Sequence, residues 1–404
     1  MKNRGIAWDV LLAALLCVLA LAVLATLTRQ LPAALFAREQ GLDAWFQADM
    51  PRVLANMVDA GSNHYRTKVH PIASILIHPV VGGLRLLWPG TDLQAGMRFI
   101  GIVAVLWICG FYALARLLGC GRFATACFSL MAIGSAGFLF WFSVPETYAP
   151  GSLTLLAVLL AAALAARRPV SDRLIVDVSI ASLAITVTNW VAGLALALVE
   201  RPWRRALGLS AVAFAVVAVL TVPQRLFYSY AKFFFLGSRE ELDYMNLQAS
   251  GTWLHRLAGM FWSTFSLPEL QALPADEVQR LPQLSVQLSS PASGGWIGMA
   301  ALGLWTLLLL AGAWGLARSP AWRRFGAVLG LTLGAQVLLH LVYGEETFLY
   351  AAHFLPLLMA VALFSVRVLP GGLAASMALL AAGLAAFHNT ATYEAAVRLL
   401  QQAP

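Results

Sequence analysis

Asp49-Met50-Pro51-Arg52, then Asn56 and Asp59, then Asn63-His64-Tyr65-Arg66, then Lys68-Val69-His70-Pro71, is the stretch on which the reading of this chain turns. It packs acids, guanidiniums, an ammonium and imidazoles into a short loop, directly after a long apolar helix. Around it the chain is almost entirely apolar. Of 404 residues, 60% are hydrophobic and only 11% are charged, against about 25% charged in a soluble domain. Mean hydropathy is +0.77. The composition describes an all-α polytopic membrane protein, one integrated domain over 1–404, and excludes a soluble enzyme. The net charge of +8 does not point to nucleic acid, because Lys and Arg fall in short turns between apolar runs, the positive-inside pattern. The four cysteines lie in or beside apolar runs without metal-like spacing and read as inert membrane thiols.

A spanning helix takes about 20 apolar residues. Trp8 to Leu27 supplies the first, with Lys2 and Arg4 holding its start on the cytoplasmic side. It resembles a signal peptide but shows no small-residue cleavage site, so a retained helix is expected. Residues 29–71 then form the first external loop. Within it, Leu42 to Val58 sets Trp45, Phe46, Val53, Leu54 and Met57 on one face, which predicts an interfacial helix. Residues 72–88 are short and carry His78-Pro79 and Gly82-Gly83; the charge rule favours an interfacial or re-entrant segment over a span. Later apolar runs predict spans over 99–117, 123–142 and 151–166. Arg173 to Arg201 reads as a hairpin of two half-helices with a polar tip, Thr186 to Trp190, lining a cavity. Further spans follow at 206–222, 296–316, 325–342, 355–366 and 373–387. That makes about eleven helices, with a large external loop at 224–295 and an external tail at 389–404.

With this topology the polar clusters gather on one side. Asp49 is the candidate general base, since transfer to a hydroxyl or amine requires removal of a proton; as a bland alternative it caps the helix that Pro51 starts. Arg52, Arg66, Lys68 and His70 suit a lipid phosphate, or simply reach toward headgroups. Glu146, in the tight turn Ser143-Val144-Pro145-Glu146-Thr147-Tyr148, is a candidate second catalytic carboxylate. Asn189 sits at the hairpin tip. Glu345, Glu346, Tyr350 and His353 have helical spacing and would line the pocket from the late helices, with His353 alone also fitting a packing histidine. Asp49, Glu146, His70 and Glu345 together offer oxygen and nitrogen donors for a divalent metal, although no spacing signature supports one; no other cofactor is expected. P-loop, dinucleotide and serine-hydrolase signatures are absent.

Four elements in this order carry a resemblance. They are Asp49 in an early loop; Lys68-Val69-His70-Pro71 ahead of a short helix; Trp141-Phe142-Ser143-Val144-Pro145-Glu146-Thr147-Tyr148 after an aromatic helix end; and the hairpin tip Thr186 to Trp190. Together they resemble the GT-C superfamily of membrane glycosyltransferases, in particular the protein O-mannosyltransferase and lipid A aminoarabinose transferase branch. The resemblance covers residues 1–205 and 345–356. It implies a polyprenyl-phosphate sugar donor, a glycan, lipid or protein acceptor, Asp49 as base, Lys68 or His70 on the phosphate, Glu146 as second acid, and a periplasmic site on a bacterial inner membrane. The sequence departs from the pattern where Gln47 and Ala48 stand before Asp49 in place of a second acid, where the tip lacks Lys-Gly-Pro, and in having no large C-terminal soluble domain. Two other readings compete. One is an O-antigen ligase or polymerase using Arg239, His255 and Arg256 of the large loop. The other is a transporter or flippase without covalent chemistry. In the glycosyltransferase reading, aromatics such as Trp45, Tyr148, Trp190 and Tyr350 would stack on sugar.

Overall fold

The computed structural model describes residues 2–37, 42–236, 244–245, 250–274 and 281–402, with side chains from residue 5 onward. Arg239, Glu240, Glu241 and Asp243 lie outside the described residues. The chain is a multi-pass helical membrane protein. Its helices are α1 (Lys2–Thr28), α2 (Met50–Val58), α3 (Ala73–Leu87), α4 (Asp92–Leu117), α5 (Arg122–Gly134), α6 (Ala136–Trp141), α7 (Tyr148–Ala165), α8 (Asp172–Ile185), α9 (Trp190–Glu200), α10 (Trp203–Phe227), α11 (Trp253–Ala258), α12 (Gly295–Ala317), α13 (Arg323–His340), α14 (Ala351–Leu363) and α15 (Leu373–Gln401). A single two-stranded ribbon, β1 (Gln271–Leu273) with β2 (Gln283–Ser285), is the sheet among the described residues.

Among the described residues, seven helices are long and apolar enough to cross a membrane, against about eleven expected. The shortfall has local causes. The run 123–142 breaks at Ser135 into α5 and α6. The arms of the α8–α9 hairpin have 14 and 11 residues, below the length of a span. α13 carries Arg323, Arg324, Gln336 and His340 and is too polar. α3 differs from expectation in a second way. Pro79, Gly82 and Gly83 do not interrupt it; the helix runs through all three. Its 15 residues, roughly 22 Å at the usual rise, stop short of the hydrocarbon thickness, so length and not breakage limits it.

Broken backbone at membrane depth must find partners within the protein. At the α5–α6 break, Ala136 N–H donates to Phe265 O at 3.0 Å and Gly137 N–H to Thr264 O at 2.8 Å. Asn389 of α15 completes the junction: its Nδ2 donates to Gly134 O at 2.9 Å and Phe265 O at 2.8 Å, and its Oδ1 accepts from Leu267 N–H at 3.0 Å. Residues 389–401 are therefore not a separate tail. They continue α15, with Asn389, Tyr393, Ala396, Val397 and Leu400 buried, because the break needs that helix beside it.

The hairpin of two half-helices is present. Arg201 Nε lies 2.7 Å from Asp172 Oδ1, which clamps the open end. The two arms touch at Gly193, where a Cβ would sit 2.7 Å from the Ser179 Cα. Backbone cannot retreat as a flexible side chain can, so overpacking here acts on the whole hairpin. Gly193→Ala is expected to destabilise the protein by about 1–3 kcal/mol, read as a lower melting temperature of the purified protein in detergent. Gly330→Ala in α13, where a Cβ meets nothing within 4 Å, should leave it unchanged or raise it.

Candidate functional site

The first loop is anchored by aromatic burial, not by an interfacial helix beginning at Leu42. Residues 42–48 are turns, and helix begins only at Met50. Trp45 and Phe46 are wholly buried among Phe140, Phe348 and Tyr393, with ring centroids 4.9–5.7 Å apart. Trp45 Nε1 donates to Phe140 O at 3.3 Å. Trp45 is thus core and does not face a ligand. The loop adopts φ of +57° at Asp43, +52° at Phe46 and +62° at Gln47, a backbone that disfavours residues with a Cβ and costs on the order of 1 kcal/mol or more each. The buried indole and phenyl rings offset that, each contributing about 1.5–3 kcal/mol. The strained turn delivers Asp49 to the start of α2.

Asp49 is the residue before α2, but its side chain makes no capping bond. It pairs with Arg52. Arg52 in turn stacks on Tyr65 with its guanidinium carbon 4.6 Å from the ring centroid, and Nη1 donates to the Tyr65 hydroxyl at 2.6 Å. Lys68 Nζ lies 5.0 Å from the same centroid. Burial raises the Asp49 carboxyl above its ordinary range, opposed by Arg52 and Arg66. Glu146 comes from the turn between α6 and α7 and is only 2% exposed. Its Oε2 accepts from Thr147 N–H at 2.8 Å. Burial pushes its carboxyl up to about 7, and the Asp49 charge adds to the rise, while the Thr147 N–H and Arg66 oppose it. The two acids contributed by separate loops therefore lie within each other's field, and Arg66 acts on both.

Arg66 is also the link to a cavity of about 280 Å³. Arg66, Lys68, Val69 and His70 of the first loop form one wall. Thr186, Val187 and Thr188 of the hairpin tip form another, and Tyr148, Leu339, His340, Tyr343, Tyr350 and His353 close it from α7 and the late helices. The tip does line a cavity, and backbone pairing holds it there: Ile72 N–H donates to Ala184 O and Val187 N–H to Val69 O, both at 3.0 Å. His70 Nδ1–H donates to Ile185 O at 2.8 Å, and its Nε2 faces the Thr147 hydroxyl at 3.4 Å. A smaller cavity, about 30 Å³, shares Arg66 and His70 and adds Asn56, Thr67, Ser74 and Thr147. Asp49 and Glu146 line neither cavity.

Other expected site residues are used structurally. Asn189 is buried, donating from Nδ2 to Gly151 O and accepting at Oδ1 from Gln336, both at 3.1 Å. It ties the hairpin tip to α7 and α13 and does not line the cavity. Glu346 is buried and accepts from Ser285 Oγ at 2.7 Å, Val286 N–H at 3.1 Å and Phe348 N–H at 3.3 Å, fastening β2 to the approach to α14. Glu345 accepts from Gln47 Nε2 at 3.1 Å, so it joins the late turn to the first loop. Tyr350 and His353 do line the cavity. Trp190 packs on Phe214, 5.5 Å between centroids. In the large loop, His255 takes part in the cap at Thr252, and Arg256 is buried, donating to the His340 and Gly344 carbonyls at 3.1 and 2.9 Å. Both are bound up in holding the fold.

His340 and Tyr343, missed in the sequence, also belong to the cavity. Each ends or follows an apolar helix and carries no local signature. Gln224 was missed as well: from α10 it accepts the Ile75 N–H at 3.3 Å and donates to Pro71 O at 2.6 Å, which completes the start of α3. Among the described residues, no three His, Cys, Asp or Glu converge closely enough to hold a metal ion. The donors considered for one are divided: Asp49 pairs with Arg52, Glu146 accepts from Thr147 N–H, Glu345 accepts from Gln47, and His70 faces a carbonyl and a hydroxyl.

The raised Glu146 carboxyl carries a sign. Its folded-state value of about 7 exceeds the ordinary 4.5, so the fold favours the protonated acid. Its stabilising effect is complete below pH 4.5 and is lost as pH rises to 7. The difference corresponds to about 3 kcal/mol. Glu146→Gln should therefore melt with the native chain at pH 4 and above it at pH 8; equal melting temperatures at pH 8 would contradict the assignment.

No family model matches the sequence, and no curated protein matches it. Among solved structures, the chain superposes on ArnT from Cupriavidus metallidurans, described as bound to undecaprenyl phosphate, with a TM-score of 0.57 and 16% identity, over 90% of this chain and 60% of that one. At that identity the likeness speaks to fold, and this chain spans about three fifths of ArnT's length. The likeness shows that this chain shares the overall fold of that protein.

Proposed function

We propose that this protein is a GT-C glycosyltransferase that moves a sugar from a polyprenyl-phosphate carrier to a glycan, lipid or protein acceptor at the periplasmic face of a bacterial inner membrane. The observation that carries the reading is a cavity walled by Arg66, Lys68 and His70 of the early loop, whose Arg66 also acts on the Asp49 and Glu146 carboxyls, on the fold of a solved structure described as bound to undecaprenyl phosphate. The donor phosphate sits against Arg66, Lys68 and His70, where charge-assisted hydrogen bonds are strongest. The sugar enters the cavity toward Tyr148 and Tyr350, whose rings lie 6.0 Å apart between centroids. Val69, Val187, Phe234 and Leu339 supply apolar wall for the first isoprene units.

The transfer is inverting. An acceptor oxygen or nitrogen attacks the anomeric carbon from the face opposite the phosphate. The bond from that carbon to the phosphate oxygen breaks, and its electron pair leaves with the lipid phosphate, whose growing charge Arg66 and Lys68 stabilise. Asp49, the more exposed of the two acids, takes the acceptor's proton. Glu146 is the second acid, its carboxyl acted on by the Arg66 charge. No nucleotide is required, because the energy of transfer resides in the lipid-phosphate linkage.

Asp49→Asn should lower transfer by roughly 10²–10⁴-fold with donor affinity nearly unchanged, measured with purified protein and undecaprenyl-phosphate-linked sugars. Arg66→Ala should act chiefly on donor KM. Mass spectrometry of envelope glycans and glycolipids from cells carrying native or Asp49→Asn protein identifies the acceptor. Wild-type rates in Asp49→Asn would refute the base assignment. Donor movement across vesicles without any product, in both proteins, would favour a flippase instead.

A further inference from the structure

The inner end of the cavity holds a group that neither the phosphate nor the acid pair employs. His353 is 2% exposed, lines the cavity, and has no hydrogen-bond partner at either ring nitrogen. Burying such a group unpaired costs about 1–3 kcal/mol. Its position is built in. Gly151 of α7 leaves the space its ring occupies, since a Cβ there would lie 2.4 Å from His353 Nε2. Tyr148 packs beside it at 5.7 Å between centroids, and Tyr350 stacks on His340 at 3.7 Å. Among the described residues, the charged groups in the cavity wall are Arg66 and Lys68, and no Asp or Glu lines it.

Resting on the glycosyltransferase reading above, we infer that His353 reads a hydroxyl of the donor sugar and that the donor carries an uncharged sugar, not a cationic amino sugar. An imidazole in its uncharged form offers one donor and one acceptor, the same pair that a hydroxyl offers in return. A buried ammonium would instead need a carboxylate or several acceptors, and its charge would share one cavity of about 280 Å³ with Arg66 and Lys68. Uncharged hydroxyls meet no such opposition. Imidazole and phenol rings at this end also suit the flat apolar face of a pyranose or furanose. His353 is thus a specificity residue, separate from the phosphate-binding wall.

Donor binding tests this without knowledge of the acceptor. Thermal-shift titrations of the full chain in nanodiscs would use three probes: undecaprenyl phosphate alone, the same lipid bearing a neutral hexose, and the same lipid bearing an amino sugar. The native protein should bind the neutral-sugar donor at least about tenfold more tightly than the amino-sugar donor. His353→Phe, which keeps a ring but no polar atom, should lose that preference while binding undecaprenyl phosphate as before. His353→Gln, which restores a donor and an acceptor, should recover part of it. Equal or tighter binding of the amino-sugar donor overturns the inference and leaves the glycosyltransferase reading standing, as does full discrimination by His353→Phe. Failure of the native protein to bind undecaprenyl phosphate at all overturns both.

Discussion

The backbone pairing between Val69–Ile72 and Ala184–Val187 is the constraint on which the rest depends. Two N–H···O bonds of 3.0 Å and the His70–Ile185 bond of 2.8 Å join a loop after the first helix to the turn between two half-helices more than a hundred residues later. In a hydrocarbon surround, backbone groups that do not pair within the protein cost several kcal/mol each. Each partner thus requires the other: the hairpin tip could not pair its backbone without the loop, and the loop could not bring Arg66, Lys68 and His70 to the cavity without the hairpin. Gln224, bonded to Pro71 and Ile75, fixes the same corner from α10.

A second constraint is electrostatic. Asp49 and Glu146 arrive on different loops and stand close enough for one to raise the other. Alone in a largely buried place, two such acids would repel and one would stay protonated. Arg52 and Arg66 relieve this for Asp49 more than for Glu146, and the pair is left unequal: Asp49 held by a guanidinium, Glu146 raised to about 7 and so only partly ionised near neutral pH. Unequal carboxyls suit unequal duties, and the arrangement depends on guanidiniums that the early loop itself supplies.

Much of this was legible in the sequence. Composition and apolar run lengths identified a multi-pass helical protein. The dense charge in 49–71 and the polar break at 186–190 marked two segments that wall the same cavity. Other elements were misread for identifiable reasons. Trp45 and Phe46 had helical spacing with Val53 and Leu54, yet they plug a core built from α6, α15 and the turn before α14; periodicity does not tell which of two greasy surroundings a ring will enter. Asn189 and Glu346 looked like ligand groups because they are polar in apolar surroundings. Each proved to have its hydrogen bonds satisfied within the protein, one by α7 and α13, the other by β2. The segment after residue 388 read as an external tail, whereas it continues α15, with Asn389 bonded to the Gly134 and Phe265 carbonyls.

By itself, then, the sequence determined the solvent each segment prefers, the places where helices cannot run on, and the charges available at those breaks, because these follow from local transfer energies and backbone chemistry. Only the tertiary structure decided which polar groups satisfy one another and which remain to meet a ligand. Asn189 and His353 are both buried polar residues beside the same helix, and no local pattern separates them. Asn189 meets a carbonyl and a glutamine amide from distant segments. His353 meets neither, and the difference exists only once α7, α9, α13 and α14 have been packed together.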